Sequence, residues 1–232
     1  ANGINGFYPA SGTPTDDVTL FPDADRTHAL PTLHFLRQQN TKAQNLPHFS
    51  LSDFIAPAES KKNDYIGMFA VTAGVGLEVL VEKYKADHDD FSEIMVKALA
   101  DRLAEAFAEL MHARVRKEYW GYVPDESLTE EQLIREEYQG IRPAPGYPAC
   151  PDHTEKKAIF ELLDAEVKAG IKLTESYAMY PASSVSGYYF ASPESKYYGL
   201  GKIDKDQVAE YAKRKNMDIK EVEKWLSPVL AY

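Results

Sequence analysis

The stretch "HDDFSEIMVKALADRLAEAFAELMHARVRKE", residues 88–118, has the clearest periodicity in the sequence. Its apolar residues recur every three or four positions, a spacing that places them along one face of an α-helix. These residues are Phe91, Ile94, Met95, Ala98, Leu99, Leu103, Phe107, Leu110, Met111 and Val115. His88, Asp89 and Asp90 suit a helix N-terminus, where acidic side chains interact favourably with the helix dipole. We therefore predict one helix of roughly 40 Å, at ~1.5 Å per residue, as the spine of the fold.

Strand-like and helical segments flank this spine without regular βαβ alternation. The segment "DYIGMFAVTAG", residues 64–74, is apolar on both alternating faces, which predicts a central strand covered on both sides. Other strands are expected at 1–25 as edge strands, at 172–180, and in a tyrosine-rich hairpin of 184–192 and 195–203. Further helices are expected at 31–43 and at 129–137, and two more begin at Asp204 and at Asp218. Another helix is expected from Asp152 to Gly170, with Ile159, Leu162, Leu163 and Val167 on its buried face. This order predicts an α+β fold with a central twisted antiparallel sheet, the long spine helix and flanking helices.

The segment "GIRPAPGYPACPDHTEK", residues 140–156, is too rich in proline for a helix or a central strand. Each proline fixes its own φ and pushes the preceding residue toward extended geometry. Pro145-Gly146 fits the middle of a type II turn, in which the glycine takes a positive φ. Arg142 heads this stiff strip and offers a planar fork for a carboxylate. The strip is interpreted either as a ligand-binding element, whose carbonyls a ligand would satisfy, or as a rigid connector between two helices.

Acidic side chains run along the predicted spine helix at Asp101, Glu105 and Glu109. Glu105 falls at nearly the same helical azimuth as Ile94, which places a carboxylate beside or within the apolar face. An isolated buried charge is too costly to lack a partner. Glu105 is therefore interpreted either as lining a pocket for a polar or cationic ligand, or as satisfied by Arg102 or by solvent.

Two pairs of tyrosines lie in the predicted hairpin: Tyr188 with Tyr189, and Tyr197 with Tyr198. Tyrosine rings pack on an adenine or sit near a positive centre. The same residues also suit ordinary packing in a β-sheet. Together with the arginine fork, the carboxylate and the rigid strip, they would suit a zwitterionic nucleoside with an amino-acid tail.

Composition argues against several classes of function. The net charge of −10 argues against nucleic acid as a partner, and the run Lys213-Arg214-Lys215 is interpreted as a solvated helix end that complements the dipole. No stretch approaches the roughly 20 apolar residues of a membrane helix. The single cysteine, Cys150, cannot form an intramolecular disulfide, which favours a reducing cytoplasm. Cys150 and His153 are too few ligands for zinc, so no metal site is predicted.

Catalytic motifs do not appear in the sequence. It has no G-x-S-x-G elbow, no H-E-x-x-H, no Walker A sequence and no Rossmann glycine fingerprint. We therefore predict no catalytic residue in this chain.

Several segments resemble one known family. They are "IMVKALADRLAEAFAE" (94–109), "RVRKEYWGY" (114–122), "YQGIRPAPGYPACPDHTEK" (138–156), "KLTES" (172–176), "SVSGYYF" (184–190) and "SKYY" (195–198). From about residue 7 to the C-terminus the chain closely resembles the C-terminal activation domain of cobalamin-dependent methionine synthase. The run Arg-Pro-Ala-Pro-Gly-Tyr-Pro-Ala-Cys-Pro is long and compositionally odd, so a chance match is very improbable.

The resemblance implies a function. Domains of this family bind S-adenosylmethionine and present its methyl group to cobalamin held by a neighbouring module. An electron from flavodoxin, or from a flavodoxin-like reductase, together with this methyl group restores cobalamin that has oxidised to its inactive cob(II)alamin state. The domain is then part of a methyltransferase but is not expected to turn over alone, and zinc is expected only in another module of the full-length enzyme.

The resemblance also implies site residues. Arg142, Ala144, Gly146 and Tyr147 match the strip positions that hold the ligand in the family. Glu105 matches the glutamate of the spine helix, and the paired tyrosines of the family match Tyr197 and Tyr198. Asp101 is expected to face the cobalamin module.

The chain departs from the family at its start. The family's domain usually begins upstream of the point that matches residue 1, and the additional part carries an acidic residue that contacts the ligand. We therefore expect residues 1–232 to form an S-adenosylmethionine-binding activation domain that lacks the family's N-terminal part. The alternative is an interaction module that docks the cobalamin domain or flavodoxin without binding S-adenosylmethionine.

Overall fold

The computed structural model of the chain describes residues 1–43 and 45–232. Its strands are β1 (Asn2–Gly12), β2 (Asp17–Leu20), β3 (Leu33–His34), β4 (Asp64–Thr72), β5 (Lys172–Leu173), β6 (Met179–Tyr180) and β7 (Ser184–Tyr189). Its α-helices are α1 (Leu77–Ala86), α2 (Asp90–Arg114), α3 (Glu130–Ile134), α4 (Lys156–Leu163), α5 (Ala165–Ala169), α6 (Lys205–Lys215) and α7 (Ile219–Leu226). The prediction of an α+β fold with a long spine helix is confirmed.

The described residues form two compact units. Unit 1 comprises Ala1–Gly6, Met68–Tyr138 and Lys156–Gly187, and it contains α1 to α5. Unit 2 comprises Phe7–Gly67, Gln139–Glu155 and Tyr188–Tyr232, and it contains β2, β3, α6 and α7. Strands β1, β4 and β7 each contribute residues to both units. Residues 140–155 of the proline-rich segment therefore belong to unit 2, and the spine helix belongs to unit 1.

A five-stranded sheet has the order β3-β2-β1-β4-β7. β2 pairs antiparallel with β1 and with β3, with Ala10 opposite Leu20 and Val18 opposite Leu33. β4 is an inner strand whose last seven residues are all buried, which confirms the predicted central strand. The prediction of edge strands at residues 1–25 is wrong, because β1 and β2 each have a neighbouring strand on both sides.

The helix predicted at residues 31–43 does not form. The short strand β3 stands there instead, and the residues after it follow an irregular path. Tertiary contacts hold their side chains: the Arg37 guanidinium binds the carboxylates of Asp16 and Asp53. Gln38 donates its side-chain amide to the backbone carbonyl of a distant loop at 2.6 Å. These contacts with distant parts of the chain outweigh the local helix propensity.

The predicted tyrosine-rich hairpin forms only in its first half. β7 is present, but the described residues 195–203 contain no strand. The Leu200 N–H donates to the Pro148 carbonyl at 2.8 Å, so this segment pairs with the proline-rich segment rather than with β7. The strand predicted at 172–180 is likewise wrong, because β5 and β6 form a small antiparallel hairpin there.

Helix α2 confirms the predicted spine but presents a different face to the core. The Asp89 carboxylate caps it by accepting the Ser92 N–H at 3.0 Å, and it continues into a wider π-helical turn at Val115–Tyr119. Its buried residues are Ala100, Ala104, Ala108, Met111 and His112. The large apolar residues that were expected to be buried are instead exposed: Phe91, Ile94, Met95, Leu99, Leu103 and Leu110. Neither α2 nor any other helix in the described residues is long and apolar enough to cross a membrane.

Small side chains on the buried face of α2 permit close packing inside unit 1. A Cβ added to Gly3 would lie 2.9 Å from the ring of Phe107 and 3.0 Å from the side chain of Val71, which is closer than side-chain packing allows. Backbones that approach this closely need glycine and alanine at the contact. The apolar residues of α2 therefore lie on two faces of the helix. The face lined by alanine is the one that packs in the core.

We predict that Ala104→Leu and Leu103→Ala will have opposite consequences for stability. Ala104 is 1% exposed and Leu103 is 61% exposed. Extra methyl groups at Ala104 overpack a filled site and should lower the free energy of unfolding by about 1–3 kcal/mol. Leu103→Ala changes an exposed position and should alter it by less than about 0.5 kcal/mol. Urea unfolding of both variants measures this difference, and a larger loss in Leu103→Ala would contradict the assigned face.

The C-terminal helices form largely as predicted. Asp204 caps α6 through the Lys205 N–H, and Asp218 caps α7 through the Lys220 N–H. Their apolar faces meet in a cluster of Leu36, Leu200, Ile203, Val208, Tyr211, Ala212, Val222 and Leu226. The helix expected from Asp152 to Gly170 is divided into α4 and α5, and Gly170 ends α5 with a φ of +72°. The burial predicted for Val167 is wrong, because its side chain is 81% exposed.

Candidate functional site

The proline strip, residues 140–151, is fixed through its backbone. Ile141 and Phe190 exchange two backbone hydrogen bonds of 3.0 Å, and the Tyr188 N–H donates to the Pro143 carbonyl at 2.9 Å. The strip carbonyls that accept backbone hydrogen bonds are those of Ile141, Pro143, Ala144, Tyr147, Pro148 and Cys150. The expectation that a ligand would satisfy the carbonyls of the strip is thus wrong for these six.

The predicted turn at Pro145-Gly146 is formed. The Tyr147 N–H donates to the Ala144 carbonyl at 3.2 Å, which closes a four-residue turn. Gly146 has a φ of +96°, the positive φ that this position requires. The turn is tied back onto the strip, because the Gly146 N–H donates to the Cys150 carbonyl at 2.7 Å and the Cys150 N–H donates to the Tyr147 carbonyl at 2.9 Å. We call residues 144–147 the binding turn.

The imidazole of His153 lies directly against the binding turn. A Cβ added to Gly146 would lie 2.3 Å from Cε1 of His153, a distance that no real side chain reaches. Glycine at position 146 is therefore required twice, by its φ and by the space that the ring occupies.

Arg142 and Tyr197 are brought together as a pair. The backbone N–H of Arg142 donates to the hydroxyl of Tyr197 at 2.9 Å. Arg142 is half-buried, whereas Tyr197 is 38% exposed. The two residues thus meet at the border between the protein and solvent.

Tyr198 points the other way and packs in an aromatic cluster. Its ring centroid lies 5.8 Å from that of Phe49 and 6.5 Å from that of Phe54. Burial raises the pKa of its hydroxyl well above the ordinary value, because the phenolate would be poorly solvated. Its role in holding a ligand stays a prediction.

Two polar groups of the predicted site are left without protein partners. Within residues 1–43 and 45–232, the N–H of Ala144 makes no hydrogen bond, and the buried hydroxyl of Tyr198 has no partner either. Buried polar groups in native proteins are nearly always hydrogen-bonded. Ala144 is half-buried, and its role in holding a ligand stays a prediction.

A surface cavity of about 450 Å³ opens beside the binding turn. Gly146, Tyr147, Trp225 and Val229 are among the residues that line it. This volume lies within the range of small-molecule sites. Arg142 and the tyrosine pair do not line this cavity.

The two acidic residues of the predicted site lie on α2, in unit 1. Both Asp101 and Glu105 are exposed. The Asp101 carboxylate accepts a hydrogen bond from the buried Ser183 hydroxyl at 2.6 Å, which fixes its orientation. The expectation that Glu105 stands beside or within a buried apolar face is wrong, because Ile94 on the same side of α2 is 67% exposed. Their roles toward ligand and partner stay predictions.

A buried charged cluster, missed by the sequence analysis, supports the end of the strip. The Lys215 ammonium donates to Asp152 Oδ2 at 2.6 Å, to Thr154 Oγ1 at 2.6 Å and to Glu155 Oε1 at 2.7 Å. The side chains of Lys215, Asp152 and Glu155 are only 7%, 3% and 5% exposed. The Tyr211 hydroxyl also donates to Asp152, at 2.9 Å. We call Asp152, Thr154, Glu155 and Lys215 the Lys215 cluster.

The Lys215 cluster shifts the pKa values of its members in different directions. Burial raises the pKa of Glu155, because desolvation of its carboxylate outweighs the attraction of Lys215. Burial acts the same way on Asp152, but Lys215 and the hydrogen bonds from Thr154 hold the pKa of Asp152 below its ordinary value. Burial would lower the pKa of Lys215, yet Glu155 and Asp152 together raise it. Lys215 and Asp152 are therefore ionised at neutral pH.

These contacts overturn the interpretation of Lys213-Arg214-Lys215 as a solvated helix end. Only Lys213 is exposed. Arg214 is 10% exposed at its side chain and binds the carboxylates of Asp17 and Glu210. The partners of Lys215 lie 60 to 63 residues away in sequence, so no local pattern could have indicated them.

The chain is similar in sequence to a known family and in structure to a solved protein. A family model described as the activation domain of vitamin B12-dependent methionine synthase matches residues 1–216. The chain belongs to this family. The activation domain is a module of methionine synthase, a methyltransferase, and the predicted resemblance is thereby confirmed.

A solved structure is closely similar to this activation domain. It is a crystal structure of the MetH reactivation domain bound to AdoHcy. The two share 56% sequence identity and superimpose with a TM-score of 0.96, over 99% of this chain and 70% of that chain. The antiparallel sheet and the arrangement of helices are therefore those of a reactivation domain. No group of three or more His, Cys, Asp and Glu residues in the described part of the chain is placed to hold a metal ion.

Proposed function

We propose that this activation domain binds S-adenosylmethionine and presents its methyl group to cobalamin held by a neighbouring module. The observation that carries the proposal is AdoHcy bound to a reactivation domain 56% identical to this chain. AdoHcy is what remains of S-adenosylmethionine once the methyl group has left. A site that holds one is therefore shaped for nearly all atoms of the other.

The chemistry of the strip fits such a ligand. S-adenosylmethionine carries a carboxylate, an ammonium group, an adenine and a sulfonium. The Arg142 guanidinium suits the carboxylate, since its planar fork donates two parallel hydrogen bonds. The free N–H of Ala144 suits an acceptor on the nucleoside, and the Tyr147 and Tyr197 rings offer faces to adenine or sulfonium. Glu105 is proposed to interact with the cationic part of the ligand.

The residues of the chain need only bind and orient the methyl donor. The C–S bond breaks with its electron pair passing to sulfur, which turns the cationic sulfonium into a neutral thioether. The methyl group would pass to cobalamin held by the neighbouring module, which would supply the nucleophile once reduced with an electron from flavodoxin or a related reductase. No proton is removed from the donor, so no general base is required. Holding the methyl group in line and excluding water then accounts for the contribution of this domain.

Partners follow from this role. We propose that the cobalamin module of the same full-length enzyme and flavodoxin dock on this domain, with Asp101 facing the cobalamin module. The exposed apolar side chains of α2 support docking, since contiguous exposed apolar surface marks interaction sites. Zinc is proposed to belong to another module. We propose a reducing cytoplasm as the compartment, because the single, buried Cys150 cannot form an intramolecular disulfide.

Titration calorimetry of S-adenosylmethionine against the chain and against Arg142→Ala tests the proposal. We expect the variant to bind at least tenfold more weakly, because charge-assisted hydrogen bonds to the ligand carboxylate are lost. The exposed Arg135→Ala serves as the matched control and should bind like the unaltered chain. Equal affinity of Arg142→Ala and the unaltered chain would contradict the proposal.

Titration of both proteins with flavodoxin distinguishes the proposed function from the alternative, an interaction module that docks partners without binding S-adenosylmethionine. A module that only docks partners would bind flavodoxin and would bind no nucleoside, with or without Arg142. Nucleoside binding that depends on Arg142 excludes that alternative.

A further inference from the structure

We infer that Lys215 is a positioning residue for the binding turn, which it supports through Asp152, Thr154 and Glu155 without touching the ligand. The inference rests on the proposed function, because it names what holds the shape of that site.

The first step runs from Lys215 to the residues after the strip. An ammonium group has three N–H donors, and Lys215 places them on Asp152 Oδ2, Thr154 Oγ1 and Glu155 Oε1 at 2.6–2.7 Å. All three acceptors lie in four consecutive residues, so one cation fixes the path of this segment. Lys215 is itself held in place as the last residue of α6, whose Val208 and Tyr211 are buried.

The second step runs from this segment to the binding turn. His153 lies between Asp152 and Thr154, and its ring fills the space in which a Cβ of residue 146 would stand. The Gly146 N–H in turn donates to the carbonyl of Cys150, two residues before Asp152, at 2.7 Å. A displacement of residues 152–155 therefore moves both supports of the turn at once.

A cation is needed at this position because two carboxylates are buried side by side. Asp152 and Glu155 repel one another, and buried like charges raise the cost of ionising both. Lys215 lies within hydrogen-bond distance of both, while Tyr211 supplies a further donor to Asp152. Removing the cation leaves uncompensated buried charge, and the segment then moves to regain water or protons.

The experiment compares Lys215→Met with Lys213→Met. Lys213 is an exposed lysine of the same helix and provides the matched control. We expect Lys215→Met to weaken the binding of S-adenosylmethionine and AdoHcy at least tenfold, and Lys213→Met to leave both affinities within twofold. In the ligand-free chain, hydrogen exchange at the amides of Gly146, Tyr147 and Cys150 should be at least tenfold faster in Lys215→Met, and it should be unchanged in Lys213→Met.

A second variant separates positioning from mere stability. Lys215→Met with Glu155→Gln removes one buried carboxylate together with the cation, so the thermal midpoint should rise above that of Lys215→Met. The affinity of the double variant for S-adenosylmethionine should stay at least tenfold below that of the unaltered chain, because no cation draws residues 152–155 together. Where Lys215→Met alone does not fold, this double variant decides the question.

If the double variant recovered both its thermal midpoint and its affinity, the inference would be overturned. A Lys215→Met variant that bound both nucleosides as tightly as the unaltered chain would also overturn it. An unaltered chain that binds neither nucleoside would overturn the proposed function instead. Exchange rates at the amides of Gly146, Tyr147 and Cys150 in the ligand-free proteins would still decide the role of Lys215.

Discussion

Gly146→Ala is expected to weaken the binding of S-adenosylmethionine strongly and to destabilise the fold. The new methyl group would lie 2.3 Å from Cε1 of His153, and the backbone would be held at a φ of +96° that alanine disfavours. Strained backbone of this kind and overpacking each cost about 1–3 kcal/mol, so the free energy of unfolding should fall by about 3 kcal/mol. Because the turn must open to make room, affinity should fall about 100-fold or more. Urea unfolding and calorimetry measure the two effects.

Gly199→Ala is the matched control for this change. A Cβ at Gly199 would meet its nearest neighbour, Pro148, only at 4.0 Å, which is ordinary packing distance. The free energy of unfolding of this variant should change by less than about 0.5 kcal/mol. If Gly146→Ala behaved like Gly199→Ala in both measurements, the geometry assigned to the binding turn would be wrong.

Arg116→Met is expected to cause a comparable loss of stability in unit 1. The guanidinium makes two hydrogen bonds of 2.7 and 2.6 Å to the Glu126 carboxylate, and these side chains are only 1% and 7% exposed. It also lies 4.4 Å from the ring centroid of Tyr138. Removal of one partner leaves the Glu126 carboxylate buried without its charge partner, so the free energy of unfolding should fall by about 3–5 kcal/mol. Urea unfolding monitored by circular dichroism measures the loss.

Arg114→Met provides the control two residues upstream. Arg114 pairs with Glu118, but these side chains are 48% and 54% exposed, and such pairs contribute about 0–1 kcal/mol. A double variant, Arg116→Met with Glu126→Leu, should recover part of the stability, because it removes the stranded carboxylate. Equal losses in Arg114→Met and Arg116→Met would show that burial does not govern this ion pair.

Local rules predicted those parts of the fold that depend on neighbouring residues. β4 followed from an unbroken apolar run, and α2 followed from its period of three to four residues. The φ of Gly146 followed from the pairing of proline with glycine in a turn. In each case a few consecutive residues determine the geometry, so the sequence contains enough information.

The orientation of α2 could not be predicted in the same way. Its large apolar side chains and its alanines have the same helical period, and hydrophobicity alone favours the larger ones. The alanine face packs because strands come close to the helix, as Gly3 does at Phe107. That distance is a property of the folded chain, and the regularly spaced Ala100, Ala104 and Ala108 are its only trace in the sequence of the helix.

Long-range polar contacts account for the remaining differences. The helix expected at 31–43 does not form, because contacts such as that between Arg37 and Asp53 hold this segment in another conformation. The strand expected at 195–203 does not form either, because its residues hydrogen-bond to the proline strip. The burial of Lys215 does not follow from its neighbours in sequence, because its three acceptors come from another part of the chain. Tyr197 was expected on a strand and lies in a loop, yet its hydroxyl still reaches the backbone N–H of Arg142.

A crystal structure of this chain with AdoHcy at saturating concentration is the most direct test of the central claim, that the proline strip holds the nucleoside. We predict electron density for the ligand along residues 142–147, with its carboxylate at the Arg142 guanidinium and an acceptor atom at the N–H of Ala144. Ligand density at any other place in the molecule, with the strip left bare, would contradict the account.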